Sequence, residues 1–176
     1  MLTRRSFVAS AAATVGAGAA ITSLPGLAQS QRRRAEPPLP TLGSQLALTP
    51  VRLLDGSVFQ PAAAKGQVLV LYWWASWCPF CAVQSPHMEK LWQAQRGRGL
   101  QMLALSIDTT REAAQSYMQK KGYTFPAGML TPAVARVLPK PRGLPVTLVR
   151  GRDGTVIWAE SGEMFPEDVE GLAKFL

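Results

Sequence analysis

Cys78 and Cys81 are the only cysteines in the chain, and two residues separate them in Trp77-Cys78-Pro79-Phe80-Cys81. Such a pair can exchange disulfides, supply half of a metal site, or close an inert bridge. A bridge across so short a loop removes little entropy from the unfolded chain, so an inert role has little to gain. A zinc site asks for four ligands, and His87 is the only histidine, so no second Cys/His pair exists. With His87 or Met88 the two thiols could instead hold copper(I). Redox exchange fits the setting best, because the pair follows an apolar run and stands where a helix begins. Unsatisfied N–H groups and a partial positive charge at that helix end stabilise a thiolate and lower its pKa. Cys78 is expected at the N-cap as the exposed nucleophile. Cys81, one turn further in and less accessible, is expected to resolve a mixed disulfide. Pro79 at the first helical position preorganises the turn without sacrificing a useful donor.

The elements that must hold this pair are legible around it. Val68-Leu69-Val70-Leu71-Tyr72-Trp73-Trp74 is apolar without polar alternation, as a central strand covered on both faces would be. Trp73 and Trp74 then point to opposite faces of that strand, and at least one belongs to the core. Pro79 to Gln95 reads as a helix with Pro86 inside it, and Leu100 to Ile107 as a second buried strand. Upstream, Leu46 to Leu54 and Ser57 to Gln60 read as a hairpin around Asp55-Gly56. Pro61 to Lys65 reads as a helical turn ended by Gly66. Downstream, Thr109 and Glu112 fit a capping box for a helix ending near Lys121, closed by Gly122. Thr131-Pro132 opens a short helix. Pro145 to Arg150 and Thr155 to Glu160 read as strands joined across Gly151-Arg152-Asp153-Gly154. Pro166 opens the last helix, with Glu167 and Asp168 at its positive end. This order predicts an α/β layer domain with a mixed central sheet flanked by helices and an N-terminal β-hairpin extension.

The 176 residues are 47% hydrophobic and 17% charged, which supplies one real core and excludes a disordered or fibrous chain. The net charge of +8 is uneven. Arg4, Arg5, Arg32, Arg33 and Arg34 account for five of the positive charges, and the remaining 14 basic against 11 acidic residues leave only +3. No dense basic run lies elsewhere, so a folded nucleic-acid-binding face is not expected. No Gly-rich phosphate loop argues for a nucleotide or flavin, and nothing argues for haem. Residues 1–28 read as an export signal: a short basic start, an uncharged stretch from Phe7 to Leu24, and Gly26-Leu27-Ala28 before a candidate mature end at Gln29. Thr3-Arg4-Arg5-Ser6-Phe7 resembles a twin-arginine signal, although Val8 and Ala9 depart from it. The alternative is an uncleaved membrane anchor, for which the stretch is just long enough but poor in Leu and Ile. Either way the rest of the chain is expected outside a bacterial cytoplasm. Residues 29–41, with three arginines and three prolines, read as an extended solvated tether, and 42–176 as the folded domain.

The run Val68 to Cys81, with Pro86 following, resembles a thioredoxin-fold active site. Asp55-Gly56 and the Gly66-Gln67 approach to the strand resemble the TlpA-like branch of that fold, a family of extracytoplasmic thiol–disulfide oxidoreductases. The resemblance covers roughly residues 42–176. It implies that Gly143-Leu144-Pro145-Val146-Thr147 is the family's loop facing the cysteines, with a cis Leu144–Pro145 bond and with Leu144 offering backbone hydrogen bonds to a substrate. A proline there lacks an N–H and leaves room for a substrate disulfide alongside. Two departures stand out. Cytoplasmic thioredoxins carry a buried Asp six residues before the first cysteine, where this chain has Tyr72. Several TlpA-like reductases carry a Glu three residues after the second cysteine, where this chain has Gln84, which takes no proton at neutral pH.

His87 is expected as a surface histidine, and Asp108 as a turn or near-cap residue rather than part of the site. Trp77, Pro79 and Phe80 are expected to form the rim of the active site. The sum is an exported protein-disulfide oxidoreductase using the Cys78–Cys81 dithiol/disulfide, with no cofactor and no metal. Its partners are protein or peptide thiols and disulfides. By resemblance it reduces periplasmic disulfides and draws electrons from a membrane donor, because an oxidising compartment does not keep thiols reduced. A disulfide oxidant or isomerase, and a copper(I) metallochaperone, are the alternatives.

Overall fold

Every residue of the central strand β3, Val68–Trp74, is buried. In the computed structural model, which describes residues 36–176, β3 lies mid-sheet because both its faces are apolar. Val68, Val70, Tyr72 and Trp74 enter one core cluster, and Leu69, Leu71 and Trp73 the other. Both tryptophans are therefore core. β4 (Leu100–Ser106) pairs parallel to β3 on one side, and β6 (Val146–Arg150) antiparallel on the other. β5 (Ala127–Met129) and β7 (Val156–Ser161) complete a mixed five-stranded sheet in the order β5-β4-β3-β6-β7. The first cluster gathers residues of helices α1 (Pro79–Gln95), α2 (Arg111–Lys121) and α4 (Pro166–Gly171). The second gathers an N-terminal hairpin and α3 (Pro132–Val137). The expected α/β class, mixed sheet and hairpin are all present. The expected export signal, with its arginine pair and candidate cleavage site, and residues 29–35 of the expected tether lie outside the described residues.

The hairpin is shorter than its sequence pattern suggests. Its strands are β1 (Val51–Arg52) and β2 (Val58–Phe59), not Leu46–Leu54 and Ser57–Gln60. Pro50 has no N–H to give to a ladder and interrupts the first strand. The residues before it go elsewhere: Leu46 N–H donates to Gly154 O, Val156 N–H donates to Ser44 O, and Gln45 bridges Thr155 beside β7. The expected turn holds, with Asp55 accepting from Ser57 N–H and Oγ at 2.8 and 2.6 Å. The hairpin closes the β5 edge through Leu54 N–H to Ala127 O at 2.7 Å. Gly128 permits this approach, since a Cβ there would lie 2.6 Å from Val51 Cγ1 and 2.9 Å from Arg52 O.

Two further local expectations shift. α2 is capped by Thr110, whose Oγ accepts from Ala113 N–H at 3.2 Å. Thr109 is not the cap, Glu112 falls at the second helical position, and no capping box forms. The helix starts one residue late because Asp108 is engaged behind it, as described below. Residues 36–41, counted with the tether by composition, lie on the loop that leads to Pro145. Glu36 pairs with Lys140 at 2.7 Å, and Arg142 N–H donates to Pro37 O at 3.0 Å. Among the described residues no helix is long and apolar enough to cross a membrane.

Glu89 on α1 ties down the turn before β5. It accepts from the N–H groups of Thr124 (2.8 Å) and Phe125 (3.1 Å), from Thr124 Oγ (2.7 Å) and from Gln93 Nε2 (2.7 Å). Partial burial pushes this carboxyl up, but the hydrogen bonds outweigh it and hold the group below its ordinary 4.5. A carboxylate with a depressed folded-state pKa stabilises the fold above the unfolded value and loses that contribution as pH falls through the folded one. Glu89→Gln is therefore expected to lower the urea midpoint at neutral pH. Its deficit against the wild type is expected to shrink as pH drops below about 4.5. A constant deficit across that range would show that the charge of Glu89 is not what the turn uses.

Candidate active site

The chain leaves the sheet at the carboxyl end of β3, turns through Ala75-Ser76-Trp77, and enters α1 at Cys78. Cys78 N–H donates to Ala75 O at 3.2 Å, which closes the turn, and Ala82 N–H donates to Cys78 O at 3.0 Å, which begins the helix. Cys78 is the N-cap, with extended backbone at φ −82° and ψ 115°. Its sulfur accepts from Cys81 N–H at 3.2 Å. The first-turn geometry thus places the Cys78 sulfur on one of the helix's free donors, the environment in which a thiolate is stabilised. The two cysteines are joined as a disulfide, with Cα atoms 5.2 Å apart.

Cys78 is not exposed. It is 3% accessible and Cys81 1%, and both belong to the first core cluster. The bond to Cys81 and the contact with its N–H draw the Cys78 sulfur inward. What faces solvent is the rim: Trp77 at 64% and Phe80 at 56%, together with Pro79. Val83, one turn on from Phe80, joins them, a residue the sequence did not single out.

β6 brings the second loop to the same end of the sheet. Val146 pairs with Trp73 and Thr147 with Tyr72, so Pro145 falls level with Trp74, beside the turn that carries the cysteines. The Leu144–Pro145 bond is cis. The loop before it is tied from several sides. Lys140 Nζ donates to Pro141 O and Gly143 O, Ser161 Oγ donates to Arg142 O at 2.6 Å, and Gly162 N–H donates to Pro145 O at 2.9 Å. Gly143 sits at φ +93°, and a Cβ there would meet Ser161 Oγ at 2.6 Å, so only glycine fits.

Gln84 lies wholly buried between these parts. Its Nε2 donates to Thr147 Oγ at 2.9 Å and its Oε1 accepts from Met164 N–H at 2.9 Å. One amide thus clamps α1 to the strand two residues past Pro145 and to the segment before α4. Tyr72, in the position where thioredoxins carry an acid, shares a 3.0 Å hydrogen bond with Ser85 Oγ and lies 3.4 Å from Cys81 O. Burial pushes its phenol well up, so it stays protonated. Sequence reasoning placed Thr147 in the Pro145 loop without its bond to Gln84, and gave Met164 no role. The signal for Thr147 was a polar residue inside an apolar strand; Met164, bonded through its backbone, left none.

Two other expectations are corrected. His87 is half-buried rather than a surface residue, and its Nδ1 is buried without a partner. It follows the buried Gln84 by three positions, so the same flank of α1 draws it inward. Asp108 is not a turn-former. It is buried, and its carboxylate reaches back 32 residues to accept from Ser76 N–H and Ser76 Oγ. Among the described residues no three of His, Cys, Asp and Glu gather as a metal site. Two grooves of about 320 and 330 Å³ open elsewhere, one beside the hairpin turn and Phe125, the other between residues 37–41 and Leu138-Pro139. Neither groove includes a cysteine; beside the buried disulfide, the residues that face solvent are those of the apolar rim.

Comparison with known proteins agrees with this geometry. Residues 45–157 match the AhpC/TSA family model. A protein named thiol-disulfide oxidoreductase ResA from Bacillus anthracis is 28% identical over 125 residues, 69% of this chain and 70% of that one. Among solved structures, a thiol:disulfide interchange protein of the thioredoxin family from Chlorobium tepidum superposes with a TM-score of 0.70. It is 22% identical and covers 77% of this chain and 97% of its own. A secreted Mycobacterium tuberculosis disulfide oxidoreductase gives 0.63 at 21% identity, over 73% and 96%. The fold is the thioredoxin fold that the run from Val68 to Cys81 resembles, and by the match over most of its domain the chain belongs to the AhpC/TSA family.

Proposed function

We propose that the protein is an exported thiol–disulfide oxidoreductase whose Cys78–Cys81 pair reduces disulfides of periplasmic proteins. The observation that carries this is the Cys78 sulfur held at 3.2 Å from the Cys81 N–H at the start of α1, beside the Pro145 loop. In the reduced enzyme the Cys78 thiolate attacks one sulfur of a substrate disulfide. That S–S bond breaks, the departing sulfur takes a proton, and a mixed disulfide forms on Cys78. Cys81, as thiolate, then attacks the Cys78 sulfur and expels the second substrate thiol. Two electrons have passed to the substrate, and the enzyme is left as the disulfide. A dithiol donor at the membrane restores it. The substrate chain lies along Leu144 and Pro145, whose lack of an N–H leaves room for it, and meets the rim of Trp77, Pro79 and Phe80. The names of the ResA relatives support the chemistry, and the arginine pair with its uncharged stretch supports export.

Two measurements test the two halves. The purified protein with dithiothreitol is expected to accelerate insulin reduction, and Cys78→Ser to return the rate to background. A wild type no faster than background would refute the activity. In cells, replacing Arg4 and Arg5 with Lys is expected to leave the protein in the cytoplasm. Undiminished periplasmic protein would mean that another export route carries it.

A further inference from the structure

Asp108 is the one carboxylate among the buried polar residues described, which otherwise comprise Gln84, Ser85, Ser106 and Thr147. It has no cation: the ion pair found among the described residues is Lys140–Glu36. A buried charge without a cation is costly unless strong hydrogen bonds replace its water. Those bonds come mainly from one place. Ser76 N–H donates to both carboxylate oxygens at 3.2 and 3.1 Å, and Ser76 Oγ donates at 2.6 Å. Ser106 Oγ adds a 2.7 Å bond from the end of β4 and also accepts the Asp108 N–H at 3.0 Å.

The location explains what this arrangement does. Trp74 and Ser106 are the last paired residues of the parallel strands β3 and β4, and Ile107 N–H to Trp74 O at 3.0 Å is the last rung. Beyond it the chains part, one toward α1 and one toward α2. A crevice at the carboxyl ends of parallel strands is where such sheets commonly bind ligands. Here the Asp108 carboxylate bridges the diverging chains, bonded to Ser76 on one and Ser106 on the other. Its partner Ser76 stands two residues before Cys78, inside the turn closed by Cys78 N–H and Ala75 O.

We propose that Asp108 is a positioning residue of the dithiol: through Ser76 it fixes the turn that keeps the Cys78 sulfur on the Cys81 N–H. It rests on the reading that Cys78 is the attacking thiol. Asp108 touches neither sulfur nor substrate in this role; it sets where the nucleophile stands. Loosening the turn lets the sulfur drift from its donor, which slows attack even when the protein remains folded. A full ångström of misplacement can cost on the order of 10²-fold, and partial loosening is expected to cost about tenfold.

The test uses the reduced full-length chain. Cys78 alkylation by iodoacetamide is measured in a Cys81→Ala background, and the amide proton of residue 81 is followed by NMR in the native Cys78/Cys81 pair. Asp108→Ala is expected to slow alkylation about tenfold and to move that amide upfield as the N–H···S contact lengthens. Asp108→Asn, which keeps one acceptor oxygen for Ser76, is expected to fall between. Unchanged rate and resonance in a folded Asp108→Ala protein would overturn the proposal. So would faster alkylation, which would mean that the carboxylate acts on the thiolate through its charge. If Asp108→Ala does not fold, Ser76→Ala removes only the hydroxyl bond and must slow alkylation in the same sense; an unchanged rate again overturns the proposal. Failure of the underlying reading looks different, because partners would then be trapped through Cys81 whatever stands at position 108.

Discussion

Cys81→Ser is expected to accumulate mixed disulfides between Cys78 and partner proteins, while Cys78→Ser accumulates none and both lose turnover to background. The asymmetry follows from the helix end rather than from exposure. At 3% and 1%, the two cysteines are equally shut in while joined as a disulfide. What separates them is that Cys78, as N-cap, receives a helix N–H on its sulfur, whereas Cys81 lies within the first turn and supplies that N–H. Once reduced, the sulfur with the donor holds the thiolate at lower pH and attacks first. Cys81 is carried by the same turn and so stands ready for the second, intramolecular step. Non-reducing gels of the two single variants, isolated from cells and identified by mass spectrometry, check this. Trapping by Cys78→Ser and not by Cys81→Ser would reverse the assignment.

Gln84→Glu is expected to speed resolution of the mixed disulfide by Cys81, roughly tenfold at most, against the on the order of 10²–10⁴-fold that a well-placed base contributes. Position 84 follows Cys81 by three residues, so the two side chains share a helix face. The surroundings suit a carboxylate. One oxygen would keep the Met164 N–H, and the other would face the Thr147 hydroxyl, which can turn to donate instead of accept. The site is wholly buried, so desolvation would raise the new carboxyl toward neutral pH, where it can take the Cys81 proton. The same charge raises the Cys81 thiol's own pKa and cancels part of the gain, which is why the expected effect is small for a base. Stopped-flow reduction of a model disulfide at several pH values measures it. An unaltered rate and pH profile would mean that position 84 does not serve the thiols, or that another group already carries the proton.

The sequence by itself determined the strand that carries the site, the start of the helix, and the chemistry between them. A seven-residue apolar run without polar alternation, rich in Val, Tyr and Trp, suits a strand buried on both faces, and Cys78-Pro79 at its end favours a helix start through short-range geometry. Gly122 at φ +70° and the Asp55-Gly56 turn were legible for the same reason: the rule that selects them acts within a few residues. The tertiary structure alone decided how the site is braced. Asp108 to Ser76, Gln84 to Thr147 and Gln84 to Met164 span 32, 63 and 80 residues, and each exists because the packing of helices and loops on the sheet brings the partners together. Asp108 read locally as a turn residue since its neighbours, Thr109 and Thr110, favour a helix start; only the parting of β3 and β4 shows what its carboxylate holds. The same limit applied to the strand read from Leu46 to Leu54, whose alternation suited a hairpin until Pro50 cut the ladder and Leu46 bonded to Gly154 beside β7 instead. It applied to Cys78 as well: its helix-end position was local, but its burial depended on a core assembled from β3, α1 and the Met164 segment. Residue types and spacing encode what a segment can do, whereas the partner a polar group finds across the sheet is set by packing that no single segment contains.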